Sequence, residues 1–215
     1  MRKALYWLFY LAYALCKVFF GLALRCLFGV WLRIENRHRM PRRGGLIMIA
    51  NHRSLSNPLV LWYASPRHLC FMGRADILQI PLIGSIARLA RMIPVRQRTA
   101  DRRALMEAIA AVKRGEALGI FPEGKLSETG ELMPFLPGIL LILRQTKAPI
   151  LPVGLTHTEK LVPYGKLYGK LFPRPAFTVI IVCFGEWIPA ERILDIPSSE
   201  AQLAFLRERV HQLIR

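Results

Sequence analysis
The chain has 215 residues, 53% of them hydrophobic, and carries 31 Lys and Arg against 14 Asp and Glu, a formal net charge of +17. That composition excludes a disordered tail, supports a sizeable core, and at this length suits one domain with an appendage. An apolar chain so basic points first to a phospholipid surface and only second to nucleic acid.

The first predicted element is the apolar run from Ala4 to Leu32, broken only by Lys17, Gly21, Arg25 and Gly29. As one helix it would reach about 43 Å, enough to cross a bilayer. Lys17 would then sit near mid-membrane, at a cost of roughly 2.5–3.5 kcal/mol. A helix or helix pair embedded in the membrane without spanning it is therefore preferred, with a single span and a helix buried against the domain as alternatives. Five arginines follow (Arg33, Arg37, Arg39, Arg42 and Arg43) against one acid, Glu35. Such a collar fits anionic headgroups on the cytoplasmic face, or else is an ordinary solvated linker. The cysteines, at 16, 26, 70 and 183, form no CxxC pair and read as free thiols on that reducing side. Residues 1–43 are thus expected to be a membrane-associated helical segment and 44–215 a catalytic-type domain.

Beyond the Gly44-Gly45 turn, short apolar runs bounded by turn residues recur: 46–50, 69–72, 92–95, 117–121, 149–155 and 177–184. These read as buried strands. Helices are predicted between and after them, at 101–114 with Asp101 as N-cap and Gly115 past the end, at 138–147 and at 198–215. The expected fold class is α/β, a mostly buried mixed sheet flanked by helices, preceded by the N-terminal hydrophobic helical segment.

Polar residues directly after buried strands mark two candidate sites. One is Asn51-His52-Arg53-Ser54-Leu55-Ser56-Asn57-Pro58; the other is Phe121-Pro122-Glu123-Gly124-Lys125-Leu126-Ser127. His52 is a candidate general base, because a free imidazole titrates near neutrality. Gly119 to Lys125 has the G-x-x-x-x-G-K spacing of a P-loop, but Leu126 stands where a magnesium-binding Ser or Thr belongs. Glu123 would also put negative charge inside the phosphate cradle, so nucleotide hydrolysis is excluded. The five histidines show no metal-ligand spacing, and no metal or cofactor is expected. The arginines around Gln97 to Arg103 lack interleaved aromatics, which argues against a nucleic-acid partner.

Together the two blocks, about 70 residues apart, resemble the glycerolipid (1-acylglycerol-3-phosphate) acyltransferase family, whose hallmarks are N-H-x4-D and F-P-E-G. Arg74-Ala75-Asp76-Ile77 with Ile80-Pro81-Leu82-Ile83-Gly84, Met92 to Arg96, and Pro149 to Gly154 look like further blocks of that family, in its order. Gly124 to Met133 is most similar to the acyltransferase half of the bifunctional 2-acylglycerophosphoethanolamine acyltransferase/acyl-carrier-protein synthetase. The resemblance implies transfer of an acyl chain from acyl-CoA or acyl-carrier protein, as donor substrate, to the hydroxyl of a lysophospholipid in phospholipid biosynthesis or remodelling. It implies His52 as base with position 57 as its partner, and Arg74, Arg96, Glu123, Gly124 and Lys125 as substrate-binding residues. The expected location is the cytoplasmic face of the cell membrane, among membrane phospholipids. Two departures stand out. Leu126 replaces the family's Arg, and Asn57 replaces its Asp, so the imidazolium loses a charge partner. The alternative is therefore a catalytically impaired lipid-binding member of the same fold.

Overall fold
The computed structural model describes residues 2–80, 83–96, 101–161 and 177–215. Seven strands, β1 (Val30–Glu35), β2 (Leu46–Ala50), β3 (Leu69–Arg74), β4 (Ile93–Val95), β5 (Ala117–Ile120), β6 (Ile150–Thr156) and β7 (Thr178–Phe184), form one sheet in the order β1-β7-β6-β2-β5-β3-β4. Neighbours from β4 to β6 are parallel, β7 runs antiparallel to β6, and β1 lies parallel to β7. The sheet is therefore mixed, as expected, and the six predicted strands are present.

The continuous apolar character of the central strands follows from burial on both faces. In β2, Leu46, Met48 and Ala50 enter one core cluster while Ile47 and Ile49 enter the other. One cluster is closed by α4 (Arg102–Lys113), α5 (Gly138–Thr146), α6 (Ala190–Leu194) and α7 (Ser199–His211). The other is closed by α1 (Arg2–Phe28) and α2 (Asn57–Ala64); α3 (Ile83–Leu89) lies between β3 and β4. Asp101 caps α4 by accepting the Ala104 N–H at 3.1 Å, which satisfies one of the donors a helix start leaves open.

The sheet begins earlier than the sequence suggested. β1 lies within residues assigned above to the N-terminal segment and pairs along its whole length with β7, from Val30 opposite Thr178 to Glu35 opposite Cys183. Only one of its faces is covered, so Trp31 and Arg33 are exposed and the run looks like an extension of the apolar helix. The collar is also partly engaged within the protein. Arg33 pairs with Glu35, Arg37 donates to the Ser65 carbonyl, and Arg39 donates to the Phe184 carbonyl.

Among the described residues no helix is long and apolar enough to cross a membrane. The second half of α1 lies against the domain instead. Leu24 is buried, Phe20 meets Trp62 and Tyr63 with ring centroids 5.9 and 5.8 Å away, and Lys17 donates to the Ser65 carbonyl at the end of α2. Lys17 also sits 5.4 Å over the Trp62 ring. Burial, with help from Arg37, lowers its pKa to about 8. The opposite stripe, Leu15, Val18, Phe19 and Leu22, is exposed.

Candidate active site
Parallel strands β2 and β5 are neighbours, with Ile49 opposite Ile120, so both candidate loops leave the same edge of the sheet side by side. Two segments separated by about 70 residues in sequence are joined there by backbone geometry. Glu123, 4% exposed, accepts the His52 N–H on one carboxylate oxygen at 2.6 Å and the Met133 N–H on the other at 2.9 Å. The His52 carbonyl in turn accepts the Ser127 N–H at 2.9 Å. Both sides of the His52 peptide are thus held by the second loop. Burial raises the Glu123 pKa, against the lowering effect of the two N–H donors. Gly124 adopts φ +72°, which lets the loop turn past Leu136 where a Cβ would collide.

A cavity of about 500 Å³ opens at this edge. His52 lies on its wall, its ring stacked on Phe121 with centroids 4.1 Å apart and planes 14° from parallel. Burial lowers the His52 pKa to about 4, so the imidazole is neutral at physiological pH and able to accept a proton. Met72, Val95, Leu105, Ile120 and Ile139 make one side of the cavity apolar, and Arg53, Arg74 and Lys125 bring positive charge. An apolar space with a few convergent cations beside a neutral base suits an amphiphile with an anionic end.

The structure distributes the sequence-predicted residues unevenly. His52, Arg74, Gly124 and Lys125 line the cavity. Arg74 is turned onto Asp76, with its Nε 3.0 Å from a carboxylate oxygen. Asn57 is fully buried beneath the first loop, where its amide donates to the Asn51 carbonyl at 2.9 Å. No hydrogen bond joins Asn57 to His52; the Asn57 Oδ1 and the His52 Nδ1 are both enclosed and unpaired. Glu123 is not among the residues lining the cavity; its carboxylate holds the His52 and Met133 N–H groups. Arg96 is exposed beyond β4 and does not line the cavity; its backbone N–H donates to Asp101. Sequence reasoning passed over Arg53, which does line it, because one arginine among many carries no signal. Among the described residues no group of His, Cys, Asp and Glu could hold a metal ion.

Residues 32–156 match the model of the acyltransferase family. Named relatives include the 1-acyl-sn-glycerol-3-phosphate acyltransferase of Cocos nucifera, 36% identical over 118 residues, which are 53% of this chain and 38% of that one. The enzyme of the same name from Bacillus subtilis is 26% identical over 186 residues, 86% of each chain. The chain spans only 38% and 53% of the lengths of its Cocos nucifera and Borreliella burgdorferi relatives. Its fold is that of the 1-acyl-sn-glycerophosphate (LPA) acyltransferase from Thermotoga maritima, with TM-score 0.75 and 22% identity, covering 92% of this chain and 76% of that one.

Proposed function
We propose that this chain, which belongs to the acyltransferase family, moves a fatty acyl group from acyl-CoA or acyl-carrier protein to the free hydroxyl of a 1-acylglycerol-3-phosphate-type acceptor. The observation that carries this reading is a neutral His52 clamped by Glu123 on the wall of a cavity with one apolar side and several cations. His52 takes the hydroxyl proton while the acceptor oxygen attacks the thioester carbonyl carbon. The tetrahedral intermediate collapses with cleavage of the C–S bond, and the imidazolium returns its proton to the departing thiolate. The ester and the free thiol are the products, and no residue is acylated. Holding both substrates in one cavity supplies orientation.

Within the family, Gly124 to Met133 resembles the acyltransferase half of the 2-acylglycerophosphoethanolamine enzyme. Lys125 and Leu126 of that stretch both face the cavity, so the departure at Leu126 bears on the acceptor. The working location is the cytoplasmic face of the membrane. The exposed stripe Leu15, Val18, Phe19 and Leu22 supports it, since long apolar side chains on one helix face bury readily among lipid tails. Residues 1–43 serve as the membrane-associated part in this reading and 44–215 supply the catalytic groups, with β1 shared between them. No cofactor takes part.

The test is product analysis by mass spectrometry after the purified full chain meets lysophosphatidic acid or lysophosphatidylethanolamine with acyl-CoA or acyl-carrier protein. Diacylated product should form with the wild type and be lost in a folded His52→Ala variant. Turnover that survives in that variant rules out His52 as the base. A wild type silent with every pair favours the impaired, lipid-binding alternative that Asn57 suggests.

A further inference from the structure
We propose that Arg53, which no motif singles out, is the principal ligand of the acceptor's phosphate, an assignment that rests on the acyl-transfer reading above. The cavity needs a cation close to His52, because the hydroxyl to be acylated and the phosphate belong to the same small glycerol unit. Arg53 follows His52 directly at the carboxyl edge of β2, and its side chain lines the cavity.

The other cationic candidates are committed, distant or missing. Arg74 is paired with Asp76 through two nitrogens. Arg96 is exposed and does not line the cavity. Position 126, where the family places an arginine, holds Leu126, which presents an apolar side chain to the same space. Arg53 and Lys125 remain, and neither makes an ion pair among the described residues.

Arg53 is also held ready for a ligand. Its Nε is enclosed by protein and has no hydrogen-bond partner among the described residues. That nitrogen is committed to no protein acceptor, so no hydrogen bond through it holds the guanidinium away from a ligand. Glu123, which feels the charge of Arg53, has its two oxygens already occupied by the His52 and Met133 N–H groups and makes no ion pair with Arg53. A phosphate oxygen pair matches the planar fork of a guanidinium, and Lys125 on the second loop would supply a point charge to the same dianion. Because Arg53 is adjacent to His52 and the two loops are tied through the His52 peptide, the backbone points from which ligand and base project are fixed relative to one another.

The experiment uses the full chain in non-ionic detergent, as wild type, Arg53→Gln and Arg53→Lys, with melting temperature as the check on folding. Equilibrium binding of lysophosphatidic acid is measured without donor, followed by steady-state kinetics with acyl-CoA. Removing a charge-assisted pair should weaken binding, and raise the acceptor KM, by about tenfold or more in Arg53→Gln, with kcat nearly unchanged. Arg53→Lys should lie between that variant and the wild type, and the KM for acyl-CoA should not move. Unchanged acceptor binding in folded Arg53→Gln overturns the proposal. So does a loss confined to kcat, which would make Arg53 a group acting on the reacting carbonyl, and so does a rise in the acyl-CoA KM alone. The binding arm keeps the two readings apart: a wild type that binds lysophosphatidic acid through Arg53 but never acylates it sinks the acyl-transfer reading and leaves this one standing.

Discussion

The substitution Asn57→Asp separates geometry from charge at the base. Asn57 is fully buried, donates to the Asn51 carbonyl at 2.9 Å, and leaves its Oδ1 without a partner, as His52 leaves its Nδ1. Replacing the amide with a carboxylate has two opposed consequences. The donor to the Asn51 carbonyl disappears, which should cost about 1–3 kcal/mol of stability, the usual penalty for an unpaired buried group. A negative charge also arrives in the loop that carries His52, whose pKa burial holds at about 4. An opposite charge within reach of a titrating group shifts it by about 1–3 units toward the charged form, and each unit is worth about 1.4 kcal/mol. Because the imidazolium develops only as the proton moves, kcat should rise about tenfold or more while the acceptor KM stays close to its original value. The pH profile supplies the sign. The reaction needs neutral His52, so wild-type kcat/KM should hold level as pH falls toward 5 and drop only near 4. In Asn57→Asp that acid limb should move upward by about 1–3 units. Both quantities come from initial rates between pH 4 and 8, with denaturant unfolding measured alongside. A folded variant whose kcat is no higher and whose acid limb stays in place would show that position 57 does not communicate with the base.

Three further outcomes can be measured. Glu123→Ala leaves the His52 and Met133 N–H groups without acceptors, so stability should fall by about 2–6 kcal/mol in urea unfolding, with kcat reduced more than KM; an unchanged midpoint would show that the clamp contributes nothing. His52 is held neutral in the folded state at a pKa below that of the unfolded chain, so the unfolded state binds the extra proton between about 6.5 and 4. Its contribution to stability should be complete above pH 6.5 and decline as pH falls toward 4, a slope that His52→Phe should remove from the pH dependence of the melting temperature. Glutamates placed together at Val18, Phe19 and Leu22 should release the chain from anionic vesicles in flotation assays while its far-ultraviolet circular dichroism stays native, since those side chains face outward; retention on the vesicles would mean that another surface holds the membrane.

The parts of this molecule readable from sequence were those whose physics is local or doubly constrained. Strands β2, β5 and β6 are buried on both faces, so each appears as an uninterrupted apolar run between turn residues, and Asp101 marks the start of α4 by its own hydrogen bond. Strand β1 had neither signature. With one face solvated it mixes Trp31, Arg33 and Glu35 among apolar neighbours, and it follows a long apolar helix with only Gly29 between them. At the site, His52 was legible because a titratable ring directly after a buried strand is unusual. Glu123 was legible as important but not in its part, since nothing in a sequence tells whether a carboxylate faces a ligand or a backbone N–H. That Arg53 lines the cavity and Arg96 does not was illegible for the same reason: direction at a strand end depends on the twist and packing of neighbouring strands, which spacing does not encode. The G-x-x-x-x-G-K spacing misleads equally, because Glu123 within it acts as an acceptor for the His52 and Met133 N–H groups, both from outside the motif, where a phosphate cradle would need a ring of donors.

Lys17 shows why hydropathy summed along a helix is a poor guide to what the helix touches. Counted as part of an apolar run it is an intrusion that weakens insertion. In three dimensions it belongs to the face that meets the domain, with Phe20, Gly21 and Leu24, where the Ser65 carbonyl at the end of α2 and the Trp62 ring receive it. A cation at a helix C-terminus meets the negative end of the helix dipole, so the position is favourable rather than merely tolerated. Arg37 donates to the same carbonyl at 3.2 Å and ties the stretch that follows β1 to the same point. The outward face carries no charge from Leu15 to Leu22. What reads in one dimension as a flawed transmembrane helix is in three dimensions one whose Lys17 is directed at protein and whose exposed side carries Leu15, Val18, Phe19 and Leu22. A helix held in that way presents an apolar stripe while Lys17 keeps the partners that satisfy it.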